Sequence, residues 1–293
     1  SGAPGTGKTA VLERLALDLA AARLNAPEDT EIPPAIPLLL PVTEWNLNLN
    51  AEVFIRASWS LASDPVELAA EGQIVPIFDG LNELGANAEW AAEQIKAYLA
   101  SESAPMYLLI SCRTDHAPRF AFDLPRVEVG AWNADRIRQM ADACLDEEDS
   151  PIFLDIVDNE PRTQIMTRTP AHADALALIY KSNPSAWMPT SVGALYKQFF
   201  PARWLIQRYA NIPLNIKFGD MQAALGRLAV HILDTGFSAA ISRADAIKAL
   251  TSESYLREAR DAGLLETRSE FVRFTSMLSL EFFAASVLQP IDL

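Results

Sequence analysis

Residues Gly2-Ala3-Pro4-Gly5-Thr6-Gly7-Lys8-Thr9 spell GxxxxGK[ST], and no other stretch of the 293-residue chain restricts its fold so tightly. The glycines allow a turn whose N–H groups converge, and the helix expected to follow adds the positive end of its dipole, so the segment suits phosphate oxygens. Lys8 is expected to reach the β- and γ-phosphates of a nucleoside triphosphate and the Thr9 hydroxyl to sit on Mg²⁺, with the backbone from Gly2 to Ala10 as the cradle. A loop of this kind normally links a buried strand to a helix. Only Ser1 precedes it, so the first strand is expected to lie outside this chain, and the apolar helical stretch 281–289 likewise reads as continuing into a longer protein.

The pattern along the chain is strand–helix alternation and then helices. Residues 9–24 carry a helical stripe at Val11, Leu12, Leu15 and Leu19; 35–42 read as a buried strand, 52–62 as a helix, 73–78 as a second strand ending in Asp79-Gly80, 89–100 as a helix and 106–112 as a third strand. Such alternation implies a parallel sheet covered on both faces. Pro76 inside the second strand removes a ladder donor, which predicts an edge or a bulge there. Beyond about residue 130, segments opening at Asn133, Pro170 and Ser191 read as helices. Three more, 225–233, 243–250 and 254–262, precede a small hairpin at 264–266 and 271–274, the order of a winged helix. The expected modules are a nucleotide-binding domain at 1–130, a helical domain at 131–190 and a winged-helix domain at 191–293.

Asp79 lies 71 positions after Lys8 at the end of an apolar strand, where a carboxylate can meet Mg²⁺ beside the phosphates. Glu83 is placed to polarise an attacking water. At the end of the next strand, Arg113 or Ser111 could touch the γ-phosphate, and the always-charged guanidinium of Arg113 suits a group that must tell triphosphate from diphosphate.

Together these segments resemble a NACHT-type ATPase of the STAND class, a relative of AAA+ proteins, over nearly the whole chain. Asp79-Gly80-Leu81-Asn82-Glu83-Leu84 is similar to the DG[LF][DN]E signature, and Ser111-Cys112-Arg113 resembles the sensor strand, which in such folds lies between the strands bearing the other two motifs. The resemblance implies a P-loop NTPase sheet followed by a helical lid and a winged helix, with ATP, ADP and Mg²⁺ as ligands. It implies that Pro170, in Thr169-Pro170, packs on the nucleotide base, although proline in a first helical turn is also ordinary structure. Leu195-Tyr196-Lys197 and the run from Phe274 to Ala285 resemble the two ends of the winged-helix region. In that run Ser276 stands where many relatives carry a histidine that contacts the β-phosphate of ADP. The resemblance further implies a nucleotide-gated switch, closed with ADP and oligomerising with ATP, reset by slow hydrolysis, flanked by an effector and a repeat sensor, and serving innate immunity or defence against invaders.

Charge weighs on the alternatives. With 24 basic and 38 acidic residues the net charge is −14, which repels phosphate backbones and anionic membranes. A DNA-associated ATPase using the winged helix would need a basic stripe, yet from Phe237 to Ala285 six basic residues face seven acidic ones, and Arg257 and Arg260 alternate with Glu258 and Asp261 as on a solvated helix face. A small-molecule kinase would need an acceptor pocket, and no segment suggests one. Cys112 and Cys144 form no disulfide framework, the three histidines lack ligand spacing, and 146–149 read as a solvated acidic turn. No apolar run reaches the roughly 18–20 residues that span a bilayer, and no signal segment opens the chain, so a cytoplasmic setting is expected.

Overall fold

A computed structural model describes residues 1–27, 30, 32–185, 187–210, 214–235, 240–268 and 270–287. The chain forms two compact units. One comprises Ser1–Ala3 and Gly7–Val129, with Thr235–Ala239; the other comprises Pro4–Thr6, Gly130–Asp234 and the chain from Ala240 on.

In the first unit helix α1 (Lys8–Leu24) leads to strand β1 (Ile36–Pro41), helices α2 (Ala51–Ala57) and α3 (Pro65–Ala70), strand β2 (Ile74–Asp79), helix α4 (Ala88–Leu99), strand β3 (Leu109–Ile110) and a short helix α5 (Ala117–Phe120). Asn50 caps α2 through its side chain and Asp64 caps α3, whose first residue is Pro65. The strands are parallel in the order β1-β2-β3, with Ile36 opposite Ile74 and Ile77 opposite Leu109. Gly2 bridges Arg113 on one side and Val129 on the other, so the start of the phosphate loop occupies a fourth, parallel position beside the continuation of β3. Leu40, Ile74, Ile77 and Phe78 are fully buried, and Trp45 stacks on Phe54 at 4.9 Å between ring centres.

Three expectations fail here for identifiable reasons. Pro76 is neither at an edge nor in a bulge: β2 is the middle strand and its register runs unbroken past Leu38. The Ser111 amide donates to the Phe78 carbonyl, so residues 74, 76 and 78 present their backbone groups to β3. Without an N–H, Pro76 cannot continue that ladder, which ends at the Ile77–Leu109 pair, so the strand expected over 106–112 loses its first three residues; it spans Leu109–Ile110. Pro37 alternates with Ile36, which donates toward β2, and so faces the open side of β1, where a missing donor costs nothing. The helix expected over 52–62 stops at Ala57, where the Ser58 hydroxyl turns back onto the Phe54 carbonyl. On α1, Leu12 and Leu19 are half-buried, whereas Val11 is 50% exposed.

The second unit contains helices α6 (Ala134–Cys144), α7 (Asp149–Asn159), α8 (Pro161–Thr167), α9 (Pro170–Ser182), α10 (Val192–Tyr209) and α11 (Phe218–Thr235). Strand β4 (Ala240–Ser242), helices α12 (Arg243–Leu250) and α13 (Glu253–Asp261), hairpin β5 (Leu265–Arg268) and β6 (Phe271–Phe274), and helix α14 (Met277–Val287) complete it. The hairpin was expected; β4, which pairs antiparallel with β6, was too short to be read in advance. Residues 288–289 of the final helical stretch lie outside the described residues. One apolar cluster runs from Met140 to Ala284, including Phe200 against Phe283 at 4.6 Å. Glu258 does not lie on a solvated face: it is 2% exposed, and its Oε2 accepts N–H bonds from Asn215 and Ile216, both at 2.9 Å. The acidic stretch 146–149 is a turn whose Asp149 amide donates to the Asp146 carbonyl. Among the described residues no helix is long and apolar enough to cross a membrane.

Candidate functional site

In the first unit the site begins with a helix that has no side-chain cap. Gly7 is the N-cap of α1 at φ 84°, a left-handed conformation that L side chains avoid, and as a glycine it offers the helix no side-chain cap. Lys8 and then Thr9 open the helix, Thr9 and Ala10 being exposed. The Lys8 ammonium is half-buried and donates to the carbonyls of Gly2, at 2.8 Å, and Ala3, at 2.9 Å. Burial pushes its pKa down, and the nearby Arg113 guanidinium adds to that; Cys112, Glu83 and Asp79 act in the opposite direction. Lys8, Asp79, Glu83 and Arg113, the four residues expected to do chemistry, are thus electrostatic neighbours.

Two backbone segments bring the others there. Strand β2 delivers Asp79 at its C-terminal end, and Gly80, at φ 85°, turns the chain so that the Glu83 amide donates to the Gly80 carbonyl at 2.7 Å. The sensor segment lies alongside. Ser111 donates its amide to Phe78 O at 2.8 Å, its hydroxyl bonds to Asp79 Oδ1 at 2.5 Å and accepts from the Gly80 amide at 2.8 Å, and its carbonyl accepts from the Leu81 amide at 2.9 Å. Two residues on, the Arg113 amide donates to Asn82 Oδ1 at 2.9 Å. The Ser111 proton is therefore directed at Asp79, and Asn82, which sequence reasoning treated only as part of a signature, holds the backbone that carries Arg113. A small hydroxyl residue two places before an arginine at a strand end was the only available signal.

Ser1 and Gly2 are fixed from both sides. The Ser1 backbone nitrogen donates to Val127 O and the Val129 amide to Ser1 O, each at 2.7 Å, while the Thr114 amide donates to Gly2 O at 3.3 Å. Cys112 is buried and its pKa is pushed up by that burial, as befits a packing thiol.

The remaining sequence-expected residues belong to the second unit. Within it, the Ala171 amide donates to the Gly5 carbonyl at 3.1 Å, and a side chain at Gly5, where φ is 74°, would meet Leu278, Thr169 and Ala171 at 3.1–3.2 Å. Thr6 is buried and Pro4 exposed. Pro170 is the first residue of α9, half-buried behind the Thr169 N-cap. Ser276 precedes α14 and acts as its cap: its Oγ accepts from the Ser279 amide at 3.1 Å and lies 2.8 Å from the Ser279 hydroxyl.

These groups fit a magnesium nucleotide. Positive-φ glycines, a helix N-terminus without a side-chain cap and a half-buried ammonium match phosphate, and the Thr9 hydroxyl and the Asp79 carboxylate are oxygen donors of the kind that Mg²⁺ takes. Among the described residues no group of three or more His, Cys, Asp or Glu side chains could hold a metal alone.

No protein-family model matches the chain, and no curated protein does. Solved structures do. A Signal Transduction ATPase with Numerous Domains (STAND) carrying a tetratricopeptide repeat sensor, from Pyrococcus horikoshii, aligns over 98% of this chain at 14% identity and a TM-score of 0.51; the chain spans 40% of that protein's length. The Drosophila origin recognition complex bound to DNA (14% identity, 98% of this chain and 80% of that one, TM-score 0.42) and Cdc6p of Pyrobaculum aerophilum (16%, 98% and 87%, 0.38) are looser matches that carry no argument. The first likeness agrees with the sheet, the loop and the helical second unit: the fold is that of a P-loop ATPase, with a parallel sheet flanked by helices and a helical C-terminal region.

Proposed function

We propose that this chain is the nucleotide-binding region of an ATP/ADP-gated signalling switch of the NACHT type, with slow hydrolysis of ATP as its reset. The observation that carries the reading is the grouping of Lys8, Asp79, Glu83 and Arg113 at one end of a parallel sheet, beside a helix without a side-chain cap, led by a glycine turn. Lys8 and the loop amides bind phosphate oxygens. Thr9 and Asp79 hold Mg²⁺, which neutralises phosphate charge when bound. Glu83 orients and polarises the attacking water, and Arg113 distinguishes triphosphate from diphosphate by the charge at the γ position.

In this proposal 1–130 is the nucleotide-binding domain, 131–190 the lid and 191–293 the winged-helix module, with Pro170 at the base and Ser276 at the position of the resting-state lock. Ser276 is short and uncharged and its hydroxyl caps α14, so in this proposal ADP is held chiefly by the loop. ATP in place of ADP favours self-association, with an effector before this region and a sensor after it, in immunity or defence. The test is the mass of the full-length protein by light scattering, with ADP and with a non-hydrolysable ATP analogue. A larger assembly with the analogue, absent in Lys8→Ala, supports the switch. The same mass under both conditions in a protein that binds both nucleotides removes gating by assembly from the account.

A further inference from the structure

Ser111 touches four consecutive residues of the Asp79 turn. Phe78 O, Asp79 Oδ1, the Gly80 amide and the Leu81 amide all bond to it within 2.5–2.9 Å, and the residue is 5% exposed. A carboxylate has two oxygens, each with two lone-pair directions. One oxygen of Asp79 takes the Ser111 proton, and Asp79 itself is only half-buried, so the carboxylate is pinned in rotation with its other oxygen left for another partner. From this geometry we propose that Ser111 is a positioning residue for the cation: it fixes the Asp79 carboxylate so that one oxygen faces Mg²⁺ rather than contacting the γ-phosphate itself. The inference rests on the nucleotide-site reading above. Groups that orient a metal ligand from behind characteristically contribute about 10- to 100-fold in metal affinity. The hydroxyl's second bond, from the Gly80 amide, ties the same oxygen to the left-handed turn, so the carboxylate's rotation and the strand's exit are set together.

The experiment measures nucleotide affinity of the full-length protein with a fluorescent ATP analogue, in Mg²⁺ and in excess chelator, together with Mn²⁺ binding by electron paramagnetic resonance. Ser111→Ala is expected to leave metal-free affinity within about threefold while Mn²⁺ binding to the nucleotide complex weakens about 10- to 100-fold; Ser111→Thr, which keeps the hydroxyl, restores most of it. In an Asp79→Ala background Ser111→Ala should have no further effect on the metal. An equal loss with and without metal, an unchanged metal affinity, or a further loss on top of Asp79→Ala overturns the proposal. If Ser111→Ala does not fold, Ser111→Cys keeps the bulk, weakens the donor and carries the same comparison. Wild-type protein that binds no nucleotide defeats the site reading and this inference together, whereas wild-type binding with an unchanged metal term defeats this inference alone.

Discussion

Gly80→Ala separates two reasons for a glycine after Asp79. The first is conformational: at φ 85° an alanine pays about 1–2 kcal/mol for the left-handed region, offset by about 0.4–1 kcal/mol from the stiffer unfolded chain, a net loss near 1 kcal/mol. The second is spatial. A Cβ there would lie 2.9 Å from Glu83 Cδ and 3.1 Å from its Oε2, closer than carbon atoms settle, so the carboxylate must swing away. If Glu83 orients the water as proposed, displacing it by about 1 Å costs about 100-fold in rate, while the proposed phosphate contacts of Lys8 and the loop stay as they are. Urea denaturation should therefore show a loss of about 1 kcal/mol, and single-turnover phosphate release a fall of about 100-fold, with nucleotide affinity within about threefold of wild type. Gly80→Asn tolerates positive φ better, so it should recover stability but not hydrolysis, because its Cβ meets the same carboxylate. A Gly80→Ala protein as stable as wild type would remove the conformational constraint from this turn, and one that hydrolyses normally would remove the spatial one.

Three further outcomes are expected of the same structure. The folded-state pKa of Lys8 lies below 10.5, so between that lowered value and 10.5 the unfolded chain holds more protons and stability rises with pH; phosphate binding favours the ammonium, and calorimetry in two buffers of different ionisation enthalpy should show proton uptake there in wild type but not in Lys8→Met. Burial lowers the His172 pKa from 6.5, so stability should fall as pH drops from 6.5 toward the lowered value, by at most about 1.4 kcal/mol per pH unit; His172→Phe should flatten that limb of the denaturation profile. Glu258→Ala removes the acceptor of two amides and leaves a cavity, and should cost about 2–4 kcal/mol by chemical denaturation, against a smaller loss for Glu258→Gln; an unchanged Glu258→Ala would return this residue to the solvent.

The parallel sheet was legible because its strands are short apolar runs ending in polar residues, and β1 and β2 stand within a residue or two of where the apolar pattern puts them. Strand β3 was not legible in its extent, since the residue that cuts it short, Pro76, belongs to its neighbour and acts through the register. Glu258 misled for a related reason. Alternating charges on a helix look solvated until the chain that precedes α11 brings two amides to one of them. Within the candidate site, the residues expected to do chemistry are set by motif spacing, whereas the support supplied by Ser111 and Asn82 depends on which strands are adjacent, a property of topology rather than of any local pattern.

Nucleotide binding at the glycine loop is probed at its root by an equilibrium titration of the full-length protein with fluorescent ATP and ADP analogues, competed by the unlabelled nucleotides, alongside Lys8→Ala. We expect saturable binding of one nucleotide per chain, displaced by both ATP and ADP and weakened about tenfold or more by Lys8→Ala. Absence of saturable binding, or binding that Lys8→Ala leaves unchanged, would be incompatible with a phosphate site built on this loop.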